Sequence, residues 1–183
     1  MNEERTRMVG YTNFKKTFCD CCKNKLDGDC VFGLKQSRTI SDCVEFIDWE
    51  AVMDTKDSPE HDWPRCDAVY IVDNKTLFIE QKNIRWFTVN NSDQLKGVQE
   101  LAKELLEKFE KSKQVYENDG NILERIEYIL SYNLNSVSED KLALLERALR
   151  NNYFPYIESK GIMCHTCEQV AYYAIFRTEF KIA

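Results

Sequence analysis

The sequence predicts a single domain of mixed α/β class, and three observations support this. Two short segments rich in β-branched and aromatic residues flank turn residues, which is typical of a β-hairpin. Further along, apolar residues recur at steps of three and four, which predicts long helices. The length of 183 residues suits one domain.

The hairpin is the most distinct element of the sequence. Its strands are "AVYIV" at 68–72 and "TLFIE" at 76–80, with the turn residues "DNK" between them. Side chains alternate across a strand with a period of two, so Phe78, Glu80 and Lys82 share one face. Burying a carboxylate and an ammonium is costly unless they pair or bind something. This face therefore either opens to solvent or holds a site.

Two structures compete for the segment before the hairpin, "TISDCVEFIDWEAVM" at 39–53. Its apolar residues follow helical spacing, which favours a helix capped by Ser41 or Asp42. The alternative is a strand through Val44, Phe46 and Asp48. The loop that follows contains prolines and acidic residues without a period.

Three helical segments and a strand are predicted after the hairpin. The first helix begins at a cap on Ser92 or Asp93 and ends before the turn-like "NDGN" segment. The remaining elements are a helix in "ILERIEYIL" at 122–130, a helix in "SEDKLALLERALRNN" at 138–152, and an aromatic, alternating strand in "QVAYYAIFRTEFKI" at 169–182.

The composition is that of an ordinary soluble protein, with 43% hydrophobic and 31% charged residues. No apolar run approaches the roughly 20 residues that span a bilayer. The beginning of the chain, "MNEERTRMVGY", is polar and unlike a signal peptide. We therefore expect a cytoplasmic protein without a membrane partner.

The net charge of −6 and the pI of about 5.1 argue against general coating of nucleic acid, which needs a basic surface. They do not exclude a nuclease. Metal-binding carboxylates add negative charge, and a local basic rim can carry the phosphate contacts. One candidate rim is "QKNIRW" at 81–86, which contains Arg85.

Three chemically active residues are expected to meet at one end of the hairpin. Asp67 opens the first strand, and Glu80 with Lys82 ends the second. Antiparallel pairing through a short turn places the start of one strand beside the end of the other. Two carboxylates beside an ammonium suit Mg²⁺-dependent phosphodiester hydrolysis, because Mg²⁺ prefers hard oxygen ligands and lowers the pKa of bound water. Lys82 would orient or deprotonate that water.

Asp67, a turn and then Glu80-Gln81-Lys82 resemble the signature of the PD-(D/E)xK nuclease superfamily. This superfamily includes restriction enzymes, Holliday-junction resolvases and RecB-like exonucleases. The resemblance extends from about residue 40 to residue 99 and implies a restriction-endonuclease-like αβββαβ core, here with a helical insertion. It also implies that Asp67 and Glu80 bind Mg²⁺ or Mn²⁺, that Gln81 lends its backbone carbonyl, and that Lys82 activates water.

Two further site residues follow from the same resemblance. Such families often add a glutamate on the first helix, for which Glu45 is the first candidate and Glu50 the second. In RecB-like members a glutamine opens the helix after the lysine, within a pattern like QLxxY. "QLKGV" keeps Gln94 and the leucine but has Val98 in place of the tyrosine. Gln94, from this pattern, and Arg85, from the basic segment at 81–86, are the candidate nucleic-acid contacts.

Eight cysteines are many for an intracellular chain of this length, and clustered cysteines there indicate metal binding rather than disulfides. Cys19 and Cys22 have CxxC spacing, and so do Cys164 and Cys167. Two such pairs can complete a tetrahedral thiolate site. A structural Zn²⁺ there would tie the poorly patterned residues 11–38 to the C-terminal part of the chain.

Other ligands and another metal are alternatives for this cysteine site. Cys21, Cys30 and His165 are the alternative ligands. RecB-like and CRISPR-associated members of the superfamily often carry a four-cysteine cluster, so the resemblance makes [4Fe–4S] a competitor of zinc. That cluster usually takes one N-terminal and three C-terminal cysteines, whereas this chain offers two C-terminal ones, which favours zinc. Unliganded thiols are the third alternative.

The chain is thus expected to form one nuclease-like domain over 1–183, acting on DNA rather than RNA. Two alternatives of other classes stay open. One is a zinc-stabilised nucleic-acid- or protein-binding module without activity. The other is a subunit of a larger defence or repair complex, with a protein partner or a second copy of the chain. The expected parts are a Cys-rich segment at 1–38, a motif-bearing core at 40–99, a helical region at 92–152 and a C-terminal Cys pair with a strand at 160–183.

Overall fold

A computed structural model describes residues 10–17, 45–72, 74–84, 94–121, 125–133 and 139–176. Within these ranges the chain forms a six-stranded sheet whose strands are neighbours in chain order. The first four strands pair antiparallel, and the last three pair parallel. The strands are β1 (Lys15–Thr17), β2 (Glu45–Asp48), β3 (Ala68–Val72), β4 (Lys75–Asn83), β5 (Arg125–Asn133) and β6 (Ile162–Thr166).

Helices connect the parallel strands and cover both faces of the sheet. They are α1 (Trp49–Met53), α2 (Gln94–Asn118), α3 (Glu139–Ala148), α4 (Phe154–Glu158) and α5 (Cys167–Phe176). A π-helical turn joins α3 to α4, and short 3₁₀ turns occur before β1 and after α1. In the described ranges, no helix is both long and apolar enough to cross a membrane.

Apolar side chains pack on both faces of the sheet. Because strand residues alternate between faces, neighbouring residues of one strand belong to different layers of the core. Each large apolar side chain that is fully buried contributes about 1.5–3 kcal/mol to folding. The face under α2 includes Val69, Phe78, Leu105, Phe109 and Leu130. The face under α5 includes Ala68, Ile79, Ile129, Val170 and Ala174.

The mixed α/β class, the hairpin and two helices agree with the sequence prediction. β3 and β4 contain both predicted strands, with Ala68 opposite Ile79. α2 covers the predicted first helix and ends where Gly120 takes a positive φ, a conformation that glycine adopts without strain. α3 lies within the helix predicted at 138–152. The last residues of that predicted helix, from Leu149 onwards, belong to the π-helical turn that follows α3.

The helix predicted at 122–130 is wrong over residues 125–130, which belong to β5; residues 122–124 lie outside the described ranges. Its side chains alternate: Tyr128 and Leu130 pack under α2, whereas Ile129 packs under α5. A central strand of a parallel sheet is apolar on both faces. Such a short, continuous apolar run does not distinguish a strand from a buried helix.

The strand predicted at 169–182 is also wrong over residues 169–176, which belong to α5; residues 177–182 lie outside the described ranges. Val170, Ala171 and Ala174 are buried against the sheet at helical spacing. The aromatic residues gave a false impression of alternation. The strand in this region is β6, which contains Cys164 and which the sequence analysis did not predict.

The segment before the hairpin is a strand followed by a helix. The predicted helix is wrong over β2, where the alternative strand through Phe46 and Asp48 is confirmed. α1 begins directly afterwards, because the Asp48 side chain caps it by accepting a hydrogen bond from the Ala51 backbone N–H at 3.1 Å. Residues 39–44 lie outside the described ranges.

Candidate active site

Asp67 and Glu80 lie on neighbouring strands at one end of the hairpin. The backbone N–H of Asp67 donates to the carbonyl of Ile79 at 3.1 Å, which continues the β3–β4 pairing by one residue. Asp67 is 6% exposed and Glu80 is 2% exposed. Burial disfavours the charged form of a carboxyl group, and a neighbouring carboxylate disfavours it further.

Burial and the neighbouring Glu80 carboxylate raise the pKa of Asp67 to about 8. One hydrogen bond opposes this shift: the backbone N–H of Gln81 donates to Asp67 Oδ2 at 2.6 Å. In the absence of a cation, the Asp67 carboxyl therefore holds a proton in much of the protein at neutral pH.

The two oxygens of Glu80 have different surroundings. Oε1 contacts Lys108 Nζ at 2.5 Å and Lys82 Nζ at 3.2 Å. Oε2 is buried and has no hydrogen-bond partner in the described part of the chain. Burial raises the pKa of Glu80, while the two ammonium groups oppose that rise. A buried carboxylate oxygen without a partner is costly, which makes Oε2 a natural acceptor for a ligand.

Lys82, the third residue of the motif, joins the same group. Its Nζ lies 3.2 Å from Glu80 Oε1 and 2.9 Å from Glu104 Oε1. The Lys82 side chain is 28% exposed. The structure therefore brings the three motif residues together, with the ammonium of Lys82 on the solvent side of the carboxylates.

A polar stripe on α2 completes the site, and the sequence analysis missed it. Glu104, Lys108 and Ser112 recur at steps of four and so lie on one face of the helix. Lys108 contacts Glu80, and Ser112 Oγ accepts a hydrogen bond from the Cys66 backbone N–H at 3.0 Å. The signal in the sequence was this stripe of three polar residues beside the apolar face.

Lys108 is held in its charged form by its neighbours. Burial alone would lower its pKa, but the Glu80 and Asp67 carboxylates raise the pKa of Lys108 above its usual value. The site therefore has two ammonium groups, one predicted at Lys82 and one contributed by α2.

The structure separates the two candidates for an additional glutamate. Glu45 lies on β2, its side chain is 63% exposed, and it pairs with Lys15 at 3.6 Å. Glu50 lies on α1, where its Oε2 accepts a hydrogen bond from Arg65 Nε at 2.9 Å. The charge of Glu50 contributes to the raised pKa of Asp67. Glu50 is thus the acidic residue of this segment that acts on the site.

The predicted nucleic-acid contacts are only partly described. Gln94 is the first residue of α2, as the sequence pattern predicted, but its side chain is not described. Arg85 lies outside the described residues. Gln81 is buried on β4 opposite Ser131 of β5.

The structure divides Cys164 and Cys167 between the two faces of the sheet. Cys164 lies on β6 and packs in the core under α2, whereas Cys167 begins α5 and packs in the core under that helix. Burial raises the pKa of the Cys164 thiol, and the Ser131 hydroxyl lies 3.0 Å from Cys167 Sγ. The other predicted or alternative cysteine ligands, Cys19, Cys21, Cys22 and Cys30, lie outside the described residues.

The alternative ligand His165 is half-buried on β6. Burial and the nearby positive charge of Arg150 lower its pKa to about 4. The imidazole is therefore neutral at physiological pH, which is the form that binds metals.

The donor set at Asp67 and Glu80 fits a small, hard cation. Two carboxylates and a backbone carbonyl are all-oxygen ligands of the kind that Mg²⁺ and Mn²⁺ take, with water completing the shell. Across the described ranges, no cluster of three or more His, Cys, Asp or Glu side chains could hold a metal ion. The proposed site has only two carboxylate side chains and one backbone carbonyl, so it is smaller than such a cluster. The feature that supports a cation there is Glu80 Oε2, a buried oxygen without a hydrogen-bond partner in the described part of the chain.

Comparison of the chain with protein-family models, with curated proteins and with solved structures gave no match. The geometry and chemistry of the site are therefore the basis for a function.

Proposed function

We propose that this protein is a divalent-metal-dependent nuclease that hydrolyses phosphodiester bonds, with DNA rather than RNA as its substrate. One observation carries the proposal. Two buried carboxylates, Asp67 and Glu80, lie together with an open oxygen on Glu80, and two ammonium groups border them. Buried carboxylates with perturbed pKa values beside ammonium groups are characteristic of functional sites.

The order of elements supports the resemblance to the PD-(D/E)xK superfamily. Three antiparallel strands, β2 to β4, are followed by α2 and by β5, which is parallel to β4. This order matches the βββαβ part of the core that the resemblance implies, and Asp67 and Glu80 lie together at one end of the hairpin. The first helix of the implied core would precede β2, outside the described residues.

In this mechanism Asp67, Glu80 and the backbone carbonyl of Gln81 would hold Mg²⁺ or Mn²⁺. Such an ion, when bound, would lower the pKa of a coordinated water and offset charge on the phosphate. Asp67 must first release its proton, and the backbone N–H of Gln81 then holds the carboxylate in place. Lys82 orients the attacking water and offsets phosphate charge.

The exposure of the charged groups suits a polyanionic substrate. The side chains of Lys82 and Lys108 are 28% and 21% exposed, whereas that of Glu80 is 2% exposed. A phosphate that approaches from solvent therefore meets the two ammonium groups before it meets the Glu80 carboxylate. The exposed Glu104 carboxylate contacts both lysines, so a bound phosphate would take over its place as their partner.

The test is cleavage of labelled single- and double-stranded DNA and RNA with Mg²⁺, with Mn²⁺ or with EDTA. We expect cleavage with either metal, none with EDTA, and loss of cleavage in Lys82→Ala. Lys103→Ala is the matched control, because Lys103 is an exposed lysine one residue before Glu104. Metal-independent cleavage, or full activity in Lys82→Ala, would contradict the proposal.

A binding module without activity is the second candidate. The ion pairs among Glu80, Lys82, Glu104 and Lys108 neutralise one another, as a purely structural network does. This candidate predicts that the purified protein binds nucleic acid or a protein partner in the presence of Mg²⁺ and leaves every labelled substrate intact.

A further inference from the structure

Lys108 makes the shorter of the two contacts with Glu80. Its Nζ lies 2.5 Å from Glu80 Oε1, against 3.2 Å for Lys82. Lys108 comes from α2 rather than from the hairpin, so it reaches the carboxylate from the layer above the sheet. In the cation-free protein, Lys108 is therefore the principal counterion of Glu80.

Lys108 also has a second carboxylate within reach. Glu104 precedes it by one helical turn, and Glu104 Oε1 lies 3.5 Å from Lys108 Nζ. The Glu104 side chain is 50% exposed, whereas the Glu80 side chain is 2% exposed. The ammonium thus lies between a buried acceptor and one that faces solvent.

We propose that Lys108 is a displaceable counterion of the metal site: it neutralises Glu80 when the site holds no cation, and it moves to Glu104 when a divalent cation binds. This inference rests on the proposed function. A divalent cation beside Glu80 would repel the ammonium, and like charges repel strongly in a site of low dielectric constant. A small rotation of the flexible lysine side chain carries the charge to Glu104.

The consequence is that Lys108 competes with the metal. The site stays neutral and folded without a cation, at the cost of a lower affinity for one. Glu104 reduces that cost, because it offers the displaced ammonium a partner. Substitutions of the two residues should therefore change metal affinity in opposite directions.

The experiment is calorimetric titration of Mn²⁺ into the full chain at pH 8.5, without nucleic acid. Lys108→Met should bind Mn²⁺ at least about tenfold more tightly than the wild type, because one competing charge is gone. Glu104→Gln should bind it about threefold or more weakly, because the displaced ammonium loses its acceptor. Lys103→Met, an exposed lysine on the same helix, is the control and should leave the affinity within about twofold.

A double substitution separates displacement from a general charge effect. The comparison is made in a Lys82→Met background, because Lys82 Nζ also lies 2.9 Å from Glu104 Oε1. There, Glu104→Gln should lose most of its effect once Lys108→Met is added, because no ammonium remains for Glu104 to receive from Glu80. Additive effects of the two substitutions would overturn the proposal. Equal or weaker Mn²⁺ binding by Lys108→Met would do the same while leaving the metal site itself intact.

Two further outcomes are defined. Lys108→Arg keeps the charge and should bind Mn²⁺ about as the wild type does; if Lys108→Met fails to fold, this variant and Glu104→Gln decide the matter. Wild-type affinity in Glu104→Gln would then overturn the proposal. No Mn²⁺ binding by the folded wild type would overturn the metal site and this inference together.

Discussion

The backbone N–H of Gln81 donates a hydrogen bond of 2.6 Å to Oδ2 of Asp67, so the residue between Glu80 and Lys82 holds the carboxylate of the other strand. Strand pairing determines which backbone positions of β3 and β4 lie opposite each other. This bond additionally fixes the side chain of Asp67. It links the two halves of the motif, and any change in Asp67 should be transmitted to the end of β4.

The first prediction concerns stability against pH in EDTA. The pKa of Asp67 is raised from 3.8 to about 8 in the folded protein. Between these values the folded state keeps a proton that the unfolded chain has lost, so the free energy of unfolding falls as pH rises. The slope from this group is at most about 1.4 kcal/mol per pH unit.

Urea unfolding at pH 5, 6.5 and 8 measures this slope, and Asp67→Asn should reduce it. Asp57→Asn is the control, because Asp57 is exposed. A slope in Asp67→Asn equal to that of the wild type would mean that another group carries the proton.

The second prediction concerns protons released by metal binding. Since Asp67 is largely protonated at neutral pH, Mn²⁺ binding at pH 7 should release about one proton. Apparent affinity should therefore rise with pH and level off above about 8, where the pKa of Asp67 lies. Calorimetry in two buffers with different ionisation enthalpies counts the protons. A count near zero at pH 7 would contradict the role of Asp67 as a ligand.

The third prediction concerns the buried ion pair. Glu80→Gln leaves Lys108 partly buried without its principal carboxylate, which should lower the free energy of unfolding by about 3 kcal/mol and abolish cleavage. The double variant Glu80→Gln, Lys108→Met should regain part of the stability and none of the activity. Glu107→Gln, an exposed residue on α2, is the control. Thermal melting and cleavage assays separate the two effects, and an active Glu80→Gln would remove Glu80 from the mechanism.

The fourth prediction concerns the cysteine site. Elemental analysis of protein purified anaerobically without chelator tests the proposed zinc site of Cys19, Cys22, Cys164 and Cys167. About one zinc per chain would support it, and would require Cys164 and Cys167 to leave their separate core layers on the two faces of the sheet. Iron with a brown colour would support the [4Fe–4S] alternative instead.

A pair of variants locates that metal. Cys164→Ser should lose it and gain protease cleavage near Lys15–Lys25. Cys66→Ser is the matched control, because Cys66 is a buried thiol of the same core layer. If the wild type contains neither zinc nor iron, Cys164 and Cys167 are ordinary core residues on opposite faces of the sheet.

The sequence predicted the parts of the fold in which local pattern and tertiary environment agree. The hairpin has strong turn residues, and α2 has one apolar stripe, so both could be predicted. β5 could not, because it is covered by protein on both faces. α5 could not, because its aromatic residues imitate the alternation of a strand. Tyr128 and Ile129 are adjacent apolar residues of β5 that face different layers, which removes the periodic signal.

The site was predictable to the extent that strand geometry determines it. Asp67, Glu80 and Lys82 meet because antiparallel pairing and side-chain alternation place them together. Lys108 could not be predicted in the same way, because its contact with Glu80 depends on how α2 lies across β4. Glu45 was chosen on the expectation that it lies on a helix, whereas it lies on the strand β2. The helix α1 begins after that strand and contains Glu50, the second candidate.

The chain order of the strands has a consequence for biosynthesis. Each described strand pairs with the strand that precedes it along the chain, so the sheet can grow by adding strands at one edge as the polypeptide leaves the ribosome. The residues assigned to the active centre lie between Glu50 and Ser112. Once α2 has docked on the hairpin, this centre is complete before β6 has been synthesised. Its assembly therefore does not wait for the last third of the chain, and mutations there should affect yield more than the chemistry.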